Sequence, residues 1–301
     1  MLNKKSQTYK GRFAPSPTGP VHFGTLIAAA GSYLQAKKNK GEWLIRMEDV
    51  DITRKVDGAD ADILKTLEAF GFEWHGKIIY QSEQTVHYEQ ALEQLISQSL
   101  IFPCLCSRKQ LAKSNSTIYP GTCRSRQLPE KNEHALRLLS KDIAIEFNDA
   151  VLGRQSQNIK RQCGDFVVRR RDGLFSYQLA VVVDDARQGI SEIVRGADLL
   201  DSTPRQIYLQ QLLKYPTPDY CHLPLAVNNS GNKISKSEGA TKIDLQRKEQ
   251  LLVSALAFLG QNPAEDLAKY SINDIWLWAV EHWNVTQVPS KTHIRPVLNQ
   301  K

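Results

Sequence analysis

Two short segments, far apart in the chain, carry the residues best suited to phosphate chemistry. The first is Arg12-Phe-Ala-Pro-Ser-Pro-Thr-Gly-Pro-Val-His22-Phe-Gly24-Thr25. A helix starting near Gly24 would aim its free backbone N–H groups, and its positive end, at an anion. Gly24 lets that anion come close, and His22 and Thr25 can donate to phosphate oxygens. The second segment is Asn232-Lys233-Ile-Ser235-Lys236-Ser-Glu238. Two lysines separated by two residues in a Gly/Ser-rich loop can close over a phosphate chain. Lys236 would offset charge that develops on a transferring phosphoryl group. Read singly, the first segment is a Pro-rich connector and the second a solvated surface loop; together they form a pair.

A different chemistry gathers in Cys104-Leu-Cys106 and Cys123, with Tyr119 between. Thiolates at this spacing suit Zn²⁺, which takes four tetrahedral ligands. Three nearby cysteines leave a fourth ligand to be found, and His134 and Cys163 are candidates. Cys221 stands apart and reads as a core residue. The chain has five cysteines among 301 residues, and the N-terminus has basic residues with no apolar stretch behind them. That predicts no export signal and free thiols in a reducing cytoplasm. No apolar run approaches the ~18–20 residues of a membrane span. With 39 basic and 32 acidic residues the net charge is +7, a modest excess that suits a polyanionic partner without requiring one. At 41% hydrophobic and 24% charged, the composition excludes disordered and fibrous classes.

The elements that must position these residues follow from hydrophobic period. Residues 9–14 predict a strand running into the Pro/Gly turn, and a helix follows from about Gly24 with Leu26, Ala29, Ala30, Tyr33 and Leu34 on one face. Glu42–Met47 predicts a strand and 57–69 an amphipathic helix with Ile63, Leu64, Leu67 and Phe70 inward. Another helix is expected near 83–99. This alternation predicts an α/β fold built on a doubly wound parallel sheet. Residues 102–175, with four of the five cysteines and short irregular strands such as Ala144–Phe147, read as an insertion. The nearly continuous apolar run Tyr177–Val183 predicts a buried parallel strand. The nucleotide-binding catalytic domain is therefore expected over 1–101 and 176–242, and a short helical part over 243–301. The latter carries Trp276, Trp278 and Trp283 near 271–283, and a loose tail from Val288.

His22-Phe-Gly-Thr25 and Lys233-Ile-Ser-Lys-Ser237 resemble the paired nucleotide motifs of class I aminoacyl-tRNA synthetases. Gly11-Arg-Phe-Ala-Pro-Ser-Pro-Thr-Gly19, Ile45-Arg-Met-Glu-Asp-Val-Asp51 and Val194-Arg-Gly-Ala-Asp-Leu-Leu-Asp-Ser-Thr-Pro-Arg205 resemble the glutamyl-tRNA synthetase family within that class. The resemblance runs over about residues 9–245. It implies a Rossmann-like catalytic domain in which Arg12, Phe13, Ala14, Pro15, Ser16, Glu48, Tyr177 and Arg195 bind glutamate. Arg12 and Arg195 would take the carboxylates, since a forked guanidinium favours a carboxylate over an amide. Glu48 would take the α-ammonium, and Tyr177 would close the pocket. ATP, accompanied by Mg²⁺, would meet His22, Gly24, Thr25, Lys233, Ser235 and Lys236, with His22 and Lys236 acting in catalysis. The resemblance also points to Tyr119 as the fourth ligand of a structural zinc, one per chain. Two departures stand out: Ile234 where Met is usual, and Gly-Ala-Asp at 196–198 where tRNA-charging members carry Gly-Glu-Asp.

Only 64 residues follow Ser237, too few for the helical anticodon-binding domain that charging members carry after this loop. The layout resembles the family's truncated branch, which moves activated glutamate to the queuosine base in the anticodon loop of tRNA(Asp). The expected partners are ATP, L-glutamate and queuosine-containing tRNA(Asp), with no membrane, for a cytoplasmic monomer. Arg169, Arg170 and Arg171 are a candidate RNA contact. Competing readings are charging of a tRNA 3′ end with a separate anticodon-binding partner, an RNA-binding relative without chemistry, and another adenylating ligase on the same fold.

Overall fold

The computed structural model describes residues 8–112, 118–126, 134–228 and 242–296. β1 (Lys10–Phe13) leads to α1 (Phe23–Lys38), β2 (Glu42–Met47), α2 (Ala59–Ala69), β3 (Ile79–Tyr80) and α3 (Thr85–Ser97). The middle of the chain holds β4 (Ile101–Cys104), α4 (Arg108–Ala112), β5 (Ala135–Leu138), β6 (Ala144–Asp149), β7 (Gly153–Asn158) and β8 (Phe166–Arg169). Then come α5 (Tyr177–Gln188), β9 (Glu192–Gly196), α6 (Thr203–Leu213), β10 (Asp219–Leu223) and β11 (Leu225–Ala226). The described chain closes with α7 (Lys248–Phe258), α8 (Ile272–His282) and β12 (His293–Ile294).

Two parallel ladders form the centre. One runs β1-β2-β3, and the other pairs β9 with β10 and β10 with β6. The N-terminal ends of β1 and β9 are joined through Ser191, whose N–H donates to Lys10 O at 2.9 Å and whose Oγ accepts from Lys10 N. No ladder continues between those two strands, so a crevice opens where they diverge. In a doubly wound sheet this reversal of strand order is where ligands bind. The parallel α/β expectation holds.

Strand residues alternate between two cores, as the period of two requires. Trp43, Ile45, Val194 and Cys221 face the core built with α1, α2, α7 and α8; Ile193 and Tyr220 face the one built with α3, α5 and α6. On the first side Trp43 stacks on Phe72 with ring centroids 5.4 Å apart, and Tyr33 and Trp276 meet that stack edge-on. Buried indole N–H groups find acceptors, Trp43 on Ser32 Oγ and Trp276 on Phe70 O. Helices 59–69, 85–97 and 272–282 fall within the spans their periodicity predicts, and β2 has its expected ends.

Two expectations fail. Tyr177–Val183 is the start of α5 and not a strand. Ser176 caps it by accepting from Leu179 N, and Gly189 ends it in the left-handed region at φ 68°. Leu179 through Asp185 are all buried, and a continuous apolar run of this length is shared by buried strands and buried helices. The other is the expected loose tail. Val288 is buried, and β12 pairs in parallel with β11, with Leu225 N donating to Thr292 O and Val227 N to Ile294 O.

In the middle segment, β4, β5 and β8 form a separate antiparallel sheet. The β6–β7 hairpin instead extends the central ladder, through Asp149 opposite Tyr220. Among the described residues no helix is long and apolar enough to cross a membrane.

Candidate active site

A cavity of about 810 Å³ opens at the crevice between β1 and β9. Arg12 and Phe13 reach it from the end of β1, and Ala14, Pro15 and Ser16 from the turn that follows. Glu48 enters from just beyond β2, Tyr177 from the first turn of α5 and Arg195 from β9. A backbone bond from Glu48 N to Pro15 O, 2.9 Å, ties the two motif loops together. All eight residues expected to bind glutamate thus line one cavity.

His22, Gly24 and Thr25 line the same cavity at the start of α1. His22 is the N-cap, and its Nδ1 accepts from Thr25 N at 3.2 Å. In a neutral ring, an accepting Nδ1 leaves the proton on Nε2, which is then a donor. A Cβ at position 24 would lie 3.2 Å from His22 Cε1, so only glycine leaves the ring in place without crowding. The first turn of α1 carries no acidic residue, so no carboxylate of its own offsets its positive end. Lys233, Ser235 and Lys236 lie outside the described residues.

Charge is arranged around the cavity in a chain of ion pairs. Arg12 Nε donates to Asp185 Oδ1 at 3.1 Å, and Arg46 Nη2 reaches the same oxygen at 2.8 Å. Burial opposes ionisation of Asp185, yet the Arg12 and Arg46 guanidinium groups hold its carboxyl below the usual range. Asp184 accepts from Gln81 Nε2 and Tyr88 Oη. Glu48 is less well served: its Oε1 is buried without a hydrogen bond, 3.7 Å from Arg46 Nη2. Burial pushes its carboxyl up to about 7, against the pull of Arg46 and Arg12. Burial, with Glu48 nearby, likewise raises the Tyr177 phenol to about 12. Arg195 has one free end. Its Nε donates to His222 Nε2 and its Nη2 to Thr203 Oγ1, whereas Nη1 is buried with no partner. Among the described residues, an unmatched carboxylate oxygen and an unmatched guanidinium nitrogen therefore belong to side chains lining one cavity.

The cysteine cluster forms a second site. The sulfurs of Cys104, Cys106 and Cys123 lie within 4.8 Å of one another, and Cys106 and Cys123 are 3.6 Å apart. Sulfurs tetrahedrally bound to one zinc at ~2.3 Å would be roughly 3.8 Å apart. The Tyr119 oxygen sits 3.4 Å from Cys104 Sγ and 3.8 Å from Cys106 Sγ. Burial would raise the Cys123 thiol, but hydrogen bonds from Tyr119 and from Leu105 bring it to about 7, towards the thiolate a metal needs. Three sulfurs and a phenol oxygen thus converge in a geometry that can hold a metal ion. Neither His134 nor Cys163 joins the cluster; Cys163 Sγ donates instead to Gln157 Oε1.

Two of the three arginines offered as a candidate RNA contact are held in ion pairs. Arg169 pairs with Glu89, and Arg170 with Asp51 and Asp172; Arg171 is exposed. Conversely, sequence reasoning passed over Arg46, Asp149, Asp185, Thr203 and His222, which surround the cavity's arginines. The adjacent acids Asp184 and Asp185 at the end of an apolar run were the one local signal, since buried acids call for buried cations.

The description "tRNA synthetases class I (E and Q), catalytic domain" matches residues 8–268, and the chain belongs to that family. Its sequence is 51% identical over 293 residues to the glutamyl-Q tRNA(Asp) synthetase of Dechloromonas aromatica, covering 95% of this chain and 97% of that one. The glutamyl-Q tRNA(Asp) synthetase of Pseudomonas aeruginosa PAO1 is 48% identical over 284 residues, 94% of this chain and 96% of the relative. Among solved structures, the glutamate-tRNA synthetase of Elizabethkingia anophelis superposes with a TM-score of 0.80 at 24% identity, covering 96% of this chain and 68% of its own. That likeness bears on the fold.

Proposed function

We propose that this chain is a ligase that activates L-glutamate with ATP and transfers it to the queuosine base in the anticodon loop of tRNA(Asp). The observation that carries the glutamate half is the pair of unmatched groups on side chains lining the cavity, Glu48 Oε1 and Arg195 Nη1. Asp184 and Asp185 balance Arg12 and Arg46, which leaves one anion and one cation for a ligand that carries both signs. Glu48 receives the α-ammonium; Arg195 and Arg12 receive carboxylates; Tyr177 closes the pocket, and Phe13 to Ser16 form its wall.

The α-carboxylate then attacks the α-phosphorus of ATP, pyrophosphate leaves, and glutamyl-adenylate forms. In the second step a hydroxyl of the queuosine cyclopentene diol attacks the activated carbonyl, and AMP leaves. Positioning and charge neutralisation do the work, and no protein nucleophile is required. His22 and the start of α1 serve the phosphates, and Lys233, Ser235 and Lys236 supply further groups for ATP, with Mg²⁺ accompanying it. Cys104, Cys106, Tyr119 and Cys123 hold one structural Zn²⁺, which pins the segment that follows β4.

In this reading residues 1–101 and 176–242 are the nucleotide-binding unit, 102–175 an insertion and 243–301 a helical part. The protein works as a monomer in the cytoplasm, where the five cysteines stay free. The choice of acceptor is supported by the names of relatives matched over 96–97% of their own length. Its test is the location of labelled glutamate on tRNA. Label should sit on the modified base and leave the 3′ end free. Glutamylation of tRNA(Asp) that lacks queuosine would overturn the acceptor, and label on the terminal ribose would favour 3′-end charging.

A further inference from the structure

Arg195 has five N–H hydrogens in a fixed plane, and the protein uses three. Nε donates to His222 Nε2 at 3.1 Å; Nη2 donates to Thr203 Oγ1 at 2.7 Å and to Leu199 O at 3.3 Å. The remaining two are on Nη1, which is buried and unpartnered. A guanidinium so engaged cannot turn without breaking a bond on each of its other two nitrogens. Arg195 and His222 are opposite each other in the β9–β10 ladder, so the contact is set by strand register.

The contact works only for one form of His222. Arg195 Nε is always a donor, so Nε2 must present its lone pair, and the ring proton must then be on Nδ1. Asp149 supplies the reason it is there. Its Oδ2 lies 2.6 Å from His222 Nδ1, and both side chains are fully buried. The carboxylate is itself fixed, with Oδ1 accepting from Val151 N and Leu152 N and both oxygens within reach of His222 N. Thr203 Oγ1 lies 3.1 Å from Nε2, which completes the ring of contacts. None of these three side chains is among the residues lining the cavity.

We propose that Asp149, His222 and Thr203 are positioning residues that lock Arg195 in the rotation presenting Nη1 to the substrate carboxylate. The proposal rests on the assignment of Arg195 to glutamate. It gives that residue's selectivity a source: a carboxylate meets a donor already aimed and desolvated, so little is lost in ordering it on binding. The chain of contacts crosses four elements, β6, β10, β9 and the start of α6.

The test is glutamate-dependent pyrophosphate exchange with glutamate and ATP varied separately. In the unmodified protein, absence of exchange with glutamate would remove the pocket assignment itself, whatever the role of His222. Given exchange, His222→Leu removes the acceptor. Asp149→Asn can donate to Nδ1, which moves the ring proton to Nε2 and sets two donors against each other. Both should raise KM for glutamate by about tenfold or more, the scale of a lost hydrogen bond to a charged group, and leave KM for ATP unchanged. His222→Gln keeps an acceptor near the Nε2 position and should restore most of the affinity. Thr203→Val, close to isosteric, should shift KM for glutamate in the same direction and serves if the His222 variants are insoluble. A purely structural role would lower kcat through the active fraction without separating the two KM values. An unchanged KM for glutamate in soluble His222→Leu or Thr203→Val, or a Gln variant as impaired as Leu, would overturn the proposal.

Discussion

Arg12 and Asp185, 173 residues apart in sequence, form a buried ion pair at 3.1 Å between the first strand and the last turn of α5. On α5, Tyr177 and Asp185 are eight positions apart and share a face, about 12 Å apart at the rise of a helix; a strand would separate them by about 27 Å. The helix thus lets one element close the cavity with its first residue and hold Arg12 with its eighth next.

Asp185→Asn should therefore destabilise the protein by about 3 kcal/mol, because it strands two buried guanidinium groups. Denaturant unfolding measures this directly. A change near zero would mean that Arg12 and Arg46 find other partners.

Glutamate binding should strengthen as pH rises through about 7. Below that value the buried Glu48 carboxyl is protonated in the free protein, and only the ionised form attracts an ammonium group. KM for glutamate should thus fall between pH 6 and 8, and Glu48→Gln should abolish the dependence while raising KM. A flat profile in the unmodified protein would count against Glu48 as the ammonium ligand.

ATP use should depend on Gly24 and Lys236 in separable ways. Gly24→Ala crowds the His22 ring and should raise KM for ATP by about tenfold, the cost of losing a hydrogen bond to a charged oxygen. Lys236→Ala should cut pyrophosphate exchange by about 10²–10³, as loss of one preorganised charge does. Near-normal exchange in the second variant would remove Lys236 from the mechanism.

Metal analysis should find one zinc per chain, and Cys104→Ser with Cys123→Ser should lose it. Loss of the metal should loosen 102–126, read as new proteolytic cleavage there. Zinc well below one per chain in protein prepared without chelator would refute the assignment.

What the sequence disclosed was whatever a local pattern records. The turn from Arg12 to Thr25 carries its strand, loop and helix start in contiguous residues, and β2 is bracketed by Gly41 and an acidic run. α5 reads as a strand because Leu179–Val183 is an unbroken apolar run ending in three β-branched valines, which a buried strand and a buried helix share, leaving Ser176 and Gly189 as faint end signals. The supports of Arg195 were invisible for another reason. Asp149, His222 and Thr203 come from elements whose proximity exists only after folding, and an Asp or His in a strand has no local feature that marks its partner. β12 was missed because a two-residue strand has no period to detect.

Leu225 and Ala226 border the cavity, and the ladder that secures them is completed by His293 and Ile294. The two partners of that ladder are separated by 68 positions, so one rim of the cavity is anchored by a segment that follows both of the central ladders in the chain.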